Sequence, residues 1–427
     1  MNVSGKFSGF MSSEIIDIQG DSVDVAFKNL AAKNRKYIQT TLKENLPSRG
    51  KTKVLRLAAD QLRKTEALAK QRIFEIDGVN WLERYLLAFY GSCEGAGINR
   101  AEGAFLQSEG VVGCQSLLVQ DKETGEVRVV HTEEDSDMDS KTKFKYPFRV
   151  VKMNLDGKKI SFFYYPDIFG WGYSVGVNES TGFVQVVDDL SPRAKYNKGY
   201  FWAMAVSFMT LDSGSIKIAK KIMKSLASIN GVAFNGGYAI HMAQLDGKPD
   251  LVSYEFIHKE VKRLIPKTIG RKLVIGQSNM ALNPDLQKFC SAGWPKKGDS
   301  WSLTAANLYA EMLGRTNRLL RLGKEAKWLG KGAKDSIKYG LRLLADPRGD
   351  VGFYKDGYLI TGFPSFWTYA HFTAYLGKDS VEYYLGKNLP MPIKGSEYSV
   401  KYRKGYKFVG KKIWVEGKKA YNKFVNG

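Results

Sequence analysis

The hydrophobic period of the sequence changes near residue 113, and this change constrains the fold more than any single motif. Before it, apolar residues recur at helical spacing in KVLRLAADQLRKTEALAKQRIF (53–74) and NWLERYLLAFY (80–90). After it, SLLVQ, EVRVVH, FRVVKMNL and KISFFYY are short β-rich runs, separated by turn compositions such as KETGE and LDGKK. The first part therefore predicts helices and the following part predicts a meander of strands.

The rest of the chain repeats this grouping. SIKIAKKIMKSLASI (215–229) predicts a helix, YAIHMAQLDGKPDLVSYEF a hairpin, residues 302–344 further helix, and FWTYAHFTAYLG and VEYYLG final strands. Because strands come in groups rather than alternating singly with helices, we expect a layered α+β fold. We predict a helical N-terminal segment (1–113), a layered domain (114–390) and a basic C-terminal tail (391–427).

Composition narrows the class of protein. The chain has 427 residues, of which 44% are hydrophobic, so it can bury a sizeable core. It has no apolar run of 18 residues and no charged start followed by an apolar run, so we expect neither a transmembrane segment nor export. The three cysteines, Cys93, Cys114 and Cys290, match no zinc spacing and indicate a reducing, cytoplasmic location.

The charge indicates an anionic partner or a solvated surface. The formal net charge is +22, and Lys and Arg recur every three or four residues from 315 to 342, which places them on one face of a helix. The tail adds more basic residues with interleaved aromatic side chains. These features leave open a plain solvated surface, the phosphate groups of a ligand, an anionic membrane surface and a nucleic acid.

Several short motifs have a simpler interpretation. GYSVG, centred on Ser174, has the Gly-x-Ser-x-Gly pattern of a serine hydrolase, but a turn and another strand follow where a helix is required. GYKFVGKK lacks the hydroxyl of a phosphate-binding loop, and DSDMDS lacks the glycine and the final acid of a calcium loop. The histidines show no metal-ligand spacing, so we predict no metal site.

The Gly-Cys step at the start of the first hairpin carries the most specific chemistry. If the bond between Gly113 and Cys114 were cleaved, Cys114 would gain an α-amino group with a pKa of about 7.7, whereas a lysine at about 10.4 stays charged. One residue would then supply both nucleophile and base. The thiol can attack the Gly113 carbonyl, and a glycine there leaves the approach unobstructed. The alternative is a small buried hydrophobic residue.

The stretch VVGCQSLLVQDKETGEVRVVHTEED resembles the start of the mature chain in N-terminal nucleophile (Ntn) hydrolases. The specific likeness is to the family of acyl-coenzyme A:6-aminopenicillanate acyltransferase and choloylglycine hydrolase-like linear amide C–N hydrolases. GWGYSVGVNESTGFVQVVDDL (170–190) is similar to a hairpin of that family, and VIGQSNMALNPDL (274–286) to a strand that ends in Thr-Asn-His. GRTNRLLRL through LLADPRGD (314–350) resembles its Arg-rich helix and final turn. The likeness covers most of residues 14–390.

The resemblance implies a four-layer αββα sandwich with an N-terminal helical segment. It implies a precursor cut between Gly113 and Cys114, with the cleaved N-terminal chain remaining bound as a partner. It also implies catalytic roles for Cys114 as nucleophile, Asp135 as acid and Asn279 as oxyanion donor, and substrate contacts from Ser116, Glu133 and Asn178.

The sequence departs from the family pattern at three positions. Gln115 replaces a threonine, Glu133 replaces the asparagine of Asn-x-Asp, and Met280 replaces the histidine after Asn279. We therefore expect an altered substrate pocket and keep open a catalytically silent relative.

Three functions remain open at this point. The first is hydrolysis of a linear amide through an acyl-thioester on Cys114, with a small-molecule substrate and no cofactor. The second is N-acyl transfer from an acyl thioester by the same nucleophile, in which coenzyme A is a co-substrate held by the basic helix. The third is an anion- or nucleic-acid-binding protein on the same scaffold, acting through the basic helix and tail.

Overall fold

The computed structural model describes residues 1–8, 15–107, 113–135, 149–164, 175–190, 192, 196, 199–229, 233–290, 316, 319–320, 323–324 and 367–387. Helices of the described residues are α1 (Val23–Lys33), α2 (Arg35–Asn45), α3 (Lys51–Lys70), α4 (Trp81–Ala96), α5 (Arg100–Gln107), α6 (Ala203–Ser213), α7 (Ile216–Ser228) and the short α8 (Pro284–Gln287). Together with two large sheets they form an α+β fold, as the grouping of helical and β-rich segments predicts.

The first large sheet has seven described strands. They are β1 (Asn2–Ser8), β5 (Gly113–Asp121), β6 (Val127–Asp135), β16 (Lys267–Ile269), β17 (Lys272–Gln277), β18 (Trp367–Leu376) and β19 (Ser380–Lys387). Their spatial order is β1-β19-β18-β6-β5-β17-β16. All neighbours are antiparallel except β1 and β19, which are parallel.

The second large sheet has eight described strands. They are β2 (Ile15–Gly20), β7 (Arg149–Leu155), β8 (Lys158–Tyr164), β9 (Gly176–Asn178), β10 (Phe183–Asp189), β13 (Gly237–Asp246), β14 (Lys248–Ile257) and β15 (Glu260–Leu264). Their order is β15-β14-β13-β10-β9-β8-β7-β2, with only β2 parallel to its neighbour. Two small ribbons pair β3 (Glu75–Ile76) with β4 (Val79–Asn80) and β11 (Phe201–Trp202) with β12 (Phe234–Asn235).

The two large sheets pack face to face. Alternate residues along each strand enter one shared apolar cluster, which includes Leu118, Val129, Val184, Ala243 and Phe372. This is the arrangement expected of strands whose successive side chains point to opposite faces. The polar residues that share the inner faces are consequently enclosed between the sheets.

The outer faces of both sheets are also covered. Helices α1, α4, α6 and α7 pack on the second sheet through a large cluster that includes Phe27, Phe89, Phe208, Met223 and Phe256. On the first sheet, the outward residues Leu117, Val119, Val130 and Val274 surround Leu319. Residues 316, 319–320 and 323–324 are helical, but most of the predicted basic helix lies outside the described residues, as does the tail 391–427.

The N-terminal segment differs from its prediction at its start. Its helices are present, but residues 2–8 and 15–20 form β1 and β2, which are edge strands of the two different sheets. In β2, Ile16 and Ile18 are buried while their neighbours face outward. This alternation is too short to stand out beside the glycines and serines around it, so the sequence does not predict the two strands.

None of the helices within the described residues combines the length and apolar character that crossing a bilayer requires.

Candidate active site

Cys114 lies one residue into β5, with only 3% of its surface exposed. Its sulfur accepts a hydrogen bond from the backbone N–H of Asp189 at 3.1 Å, and Asn279 Nδ2 lies 3.7 Å from the same atom. The backbone N–H of Cys114 donates to Asn279 Oδ1 at 3.4 Å. One side-chain amide therefore contacts both the nitrogen and the sulfur of Cys114.

Asn279 is held in place from two sides. Its Nδ2 donates to the backbone oxygen of Asp189 at 3.0 Å, which fixes the orientation of the amide. The loop that follows β17 is fixed by Gln277, whose Nε2 donates to the backbone oxygens of Ser278 at 3.1 Å and Met280 at 2.6 Å. Because β17 pairs with β5, this loop emerges beside the start of the strand that carries Cys114.

Glu255 of β14 supports the same loop from the other sheet. Its two carboxylate oxygens accept the backbone N–H groups of Leu282, at 2.5 Å, and Asn283, at 2.8 Å. Glu255 is fully buried, and this burial raises its pKa to about 7, although the two N–H groups and the Gln277 side chain act in the opposite direction. The loop is thus attached to both sheets.

Three carboxylates lie near the Cys114 thiol. Glu133 is directly opposite Cys114 in the β5–β6 ladder, and Asp188 and Asp189 end β10. Burial raises the pKa of the Cys114 thiol well above its usual value, the charges of Asp188, Glu133 and Asp189 raise it further, and only the Asp189 N–H lowers it. In the uncleaved chain the thiol is therefore protonated at neutral pH. Tyr238 pairs with Asp189 in the β10–β13 ladder, and its pKa is raised by burial and by the charges of Asp189, Cys114 and Glu133.

A buried polar network continues from these carboxylates between the sheets. His131 contacts Ser116 Oγ through Nδ1 at 2.8 Å and Glu133 through Nε2 at 3.0 Å. His241 contacts Asp188 through Nε2 at 3.1 Å and the hydroxyl of Ser253 through Nδ1 at 2.9 Å, and Asp188 lies 3.8 Å from His131 Nδ1. Its members, each at most 3% exposed, are Ser116, His131, Glu133, Asp188, His241 and Ser253.

The structure brings together most of the predicted site residues. Gly113, Cys114, Glu133 and Asn279 adjoin one another, and Ser116 lies two positions further along β5. Asp135 ends β6, opposite Trp367 and two residues beyond Glu133; its side chain lies outside the described residues. By strand register, the acid that faces Cys114 is Glu133.

Asn178 does not join this cluster. It lies in β9 opposite Phe183, at the end of β10 that is remote from Asp189, and six residues of strand span about 20 Å. Its Nδ2 donates to the backbone oxygen of Leu211 at 3.3 Å. The structure therefore does not bring Asn178 to Cys114, and its side chain ties β9 to the end of α6.

Sequence reasoning missed the residues that complete the site. They are Asp188, Asp189, Ser253 and Glu255, together with His131 and His241, for which the absence of metal-ligand spacing left no assigned role. The available signal was a polar residue at an inward position of an apolar strand, as in FVQVVDD or YAIHMAQ. The pairing that joins them is set by sheet topology, which a single strand does not encode.

Within the described part of the chain, no group of three or more His, Cys, Asp or Glu residues is arranged to hold a metal ion. No protein-family model matches the sequence, and a search of curated proteins likewise finds no match.

Proposed function

We propose that the chain is a self-processing cysteine hydrolase of the N-terminal nucleophile type, which cleaves a linear amide bond through an acyl-thioester on Cys114. The face-to-face sheets with helices outside them are compatible with the four-layer αββα sandwich of such enzymes. The observation that carries the proposal is the set of contacts at Cys114. Two N–H donors face its sulfur, from Asp189 and Asn279, while its backbone nitrogen adjoins Asn279 Oδ1.

Processing uses the thiol of the intact chain. The sulfur attacks the Gly113 carbonyl carbon, the bond from that carbon to the Cys114 nitrogen breaks, and the thiol proton passes to the departing nitrogen. Water then hydrolyses the thioester, which leaves a carboxylate on Gly113 and a free α-amine and thiol on Cys114. The extended backbone at the start of β5 and the absence of a side chain on Gly113 favour this attack.

The new amine would change the acidity of the thiol. Glu133, Asp188 and Asp189 raise the thiol pKa in the intact chain, but the same negative charges stabilise an ammonium group on Cys114. Once that ammonium is present, its positive charge favours the adjacent thiolate. The carboxylates therefore oppose the nucleophile before cleavage and support the ammonium–thiolate pair after it.

In turnover, the amine takes the thiol proton and the thiolate attacks the substrate carbonyl. The developing oxyanion receives hydrogen bonds from Asn279 Nδ2 and the Asp189 N–H, donors already fixed by the fold. The ammonium returns its proton to the leaving amine, and water releases the acyl group. Acyl transfer differs only in the last step, where an acceptor amine replaces water.

The charge of the whole chain favours the binding-protein alternative. The net charge of +22 suits an anionic partner, and binding to DNA or RNA would show a steep dependence on salt. Such binding that persists in Cys114→Ala, together with no processing in the wild type, would favour this alternative over the hydrolase.

The decisive experiment is the intact mass of the denatured wild-type protein beside Cys114→Ala. We expect the wild type to separate into residues 1–113 and 114–427, and the variant to remain at 47.9 kDa. If both proteins stay whole after incubation at neutral pH, the self-processing mechanism is wrong. If both are cut, the cleavage comes from a contaminating protease.

A further inference from the structure

A buried carboxylate, Glu255, anchors the loop carrying Asn279 on β14 of the second sheet, in addition to the bond between Asn279 and the Asp189 backbone oxygen of β10. Glu255 is on β14, which belongs to the sheet opposite β17, and its two oxygens receive the N–H groups of Leu282 and Asn283. Asn283 also begins α8, where its Oδ1 accepts the N–H of Asp285 at 3.0 Å. Glu255 therefore fixes both the loop and the start of the following helix.

Joining two sheets through a fully buried carboxylate carries an unfavourable desolvation free energy. An apolar residue would fill the same space without the cost of removing a charge from water. A carboxylate is suited to this position because both of its oxygens can accept, so that neither N–H group is left unpaired. Since Asn279 is three residues before Leu282, loosening this anchor removes support from the loop, and the position of the amide then depends more on its bond to the Asp189 backbone oxygen.

We propose that Glu255 is a positioning residue of the site, which must be ionised to hold Asn279 in register with Cys114. This inference rests on the proposed function, because it gives Asn279 a role at the reacting carbonyl. When Glu255 is protonated, one of its oxygens carries an O–H donor and becomes a weaker, uncharged acceptor. One of the two bonds from the loop to β14 is then weakened.

The pKa of about 7 places this change in the neutral range. Elements packed against the same face of β14 carry other ionisable groups, so the effect has to be separated from theirs. These groups are His131 and Glu133 on β6, His241 on β13, Glu260 and Lys262 on β15, and Asp285 on α8. Helix α7 packs on the opposite face of β14, where Val252 and Phe256 point, and its Lys220 forms an ion pair with Asp250 at 3.1 Å.

The test compares the rate of cleavage before Cys114 in the wild type, Glu255→Gln and the control Glu260→Gln. Each precursor is made by cell-free translation, transferred to buffers from about pH 6 to about pH 8, either side of a pKa near 7, and followed by mass. In Glu255→Gln the amide nitrogen must face one of the two N–H groups, which leaves a buried donor unpaired. We expect cleavage about tenfold slower at the upper pH, equivalent to ~1.4 kcal/mol.

The ratio of the wild-type to the Glu255→Gln cleavage rate isolates the effect of Glu255 ionisation, because titration of Cys114 affects both rates alike. We expect this ratio to fall towards one as the pH decreases, and Glu260→Gln to match the wild type throughout. Amide hydrogen exchange gives a second readout: residues 282 and 283 should lose protection in Glu255→Gln while β13 keeps its own.

The outcomes separate the two proposals. An active wild type with an unchanged rate and pH profile in Glu255→Gln overturns the role of Glu255 and leaves the hydrolase standing. A lower rate without any pH dependence of the ratio also overturns it, since it indicates a merely structural group. Absence of cleavage in the wild type overturns the hydrolase and, with it, the present inference.

Discussion

Replacing Asn279 with alanine is the sharpest perturbation of the proposed site. The substitution removes three contacts together: the acceptor of the Cys114 N–H, the donor 3.7 Å from the sulfur, and the bond at 3.0 Å that orients the amide on Asp189. The Asp189 N–H remains at 3.1 Å from the sulfur. The variant therefore keeps one of two oxyanion donors and the nucleophile itself.

The expected loss of rate in Asn279→Ala follows from which contacts are removed and which remain. The contact at 3.4 Å is long and contributes little, and the bond to Asp189 acts by orientation rather than by contact with the reacting carbonyl. Most of the effect comes from the lost donor, for which about 2.7–4 kcal/mol of barrier is typical. We expect the rate of cleavage before Cys114 to fall about 100- to 1000-fold, with some cleavage remaining through Asp189.

The assay is a time course of intact mass on freshly synthesised precursor, so that no substrate has to be known. Asn34→Ala is the matched control: Asn34 is as buried as Asn279, at 1% against 3% exposed, but its Nδ2 donates to Leu30 in the helical layer. The control should process at close to the wild-type rate. Processing of Asn279→Ala within threefold of the wild type would refute the assignment of Asn279 to the oxyanion.

Two further predictions concern stability. Gly91→Ala should destabilise the protein by about 2 kcal/mol, because a Cβ there would lie 2.1 Å from the Asp24 backbone oxygen, and such overpacking exceeds the gain of ~1 kcal/mol in helix propensity. Calorimetry should show a lower Tm for this variant. The control Leu87→Ala, at a residue of the same helix that is 41% exposed, should change the Tm little. The pKa of Glu255 is raised from its ordinary value of 4.5 to about 7, so the folded state favours the protonated form. The resulting contribution to stability is fully present below 4.5 and is lost as the pH rises through 7. Denaturation of Cys114→Ala at a series of pH values should show this loss, and adding Glu255→Gln should remove the pH dependence.

Local pattern was sufficient for many elements of the fold. The helical spacing before residue 113 corresponds to α3 and α4, and the β-rich runs that follow correspond to β5 through β8. The hairpin predicted about residues 246 and 247 is formed by β13 and β14, with Gly247 at a positive φ of 69°. In each case a residue-level rule, either periodicity or turn chemistry, determines the element.

Helix α6 shows why the remainder was not predicted. All but one of its eleven residues are buried, so the helix has no polar face and no amphipathic period. Enclosure by α4, α7 and the second sheet decides its conformation, and none of this is visible in AMAVSFMTLDS. Tertiary packing also decides the edge strands β1 and β2, because their partners β19 and β7 are far away in sequence.

The candidate site is visible in the sequence where it depends on adjacent residues and not where it depends on strand pairing. The Gly113–Cys114 step is local and can be seen in the sequence. The positions of Asp188, His241 and Glu255 depend on how β10, β13 and β14 pair within the second sheet and on how that sheet faces the first, which a single sequence does not specify. Asn178 shows the converse: a motif match grouped it with Cys114, whereas the strand register places it at the other end of β10 from Asp189.

The edge strands give the proposed cleavage a topological consequence. The segment before Cys114 contributes one strand to each sheet, and β1 pairs with β19, the last strand of the described residues. A cut between 113 and 114 would leave two pieces that share both sheets and the helical layer, so neither could leave without dismantling the core. The mature protein would behave as a split protein, and genes encoding 1–113 and 114–427 should reconstitute it only when the two pieces fold together.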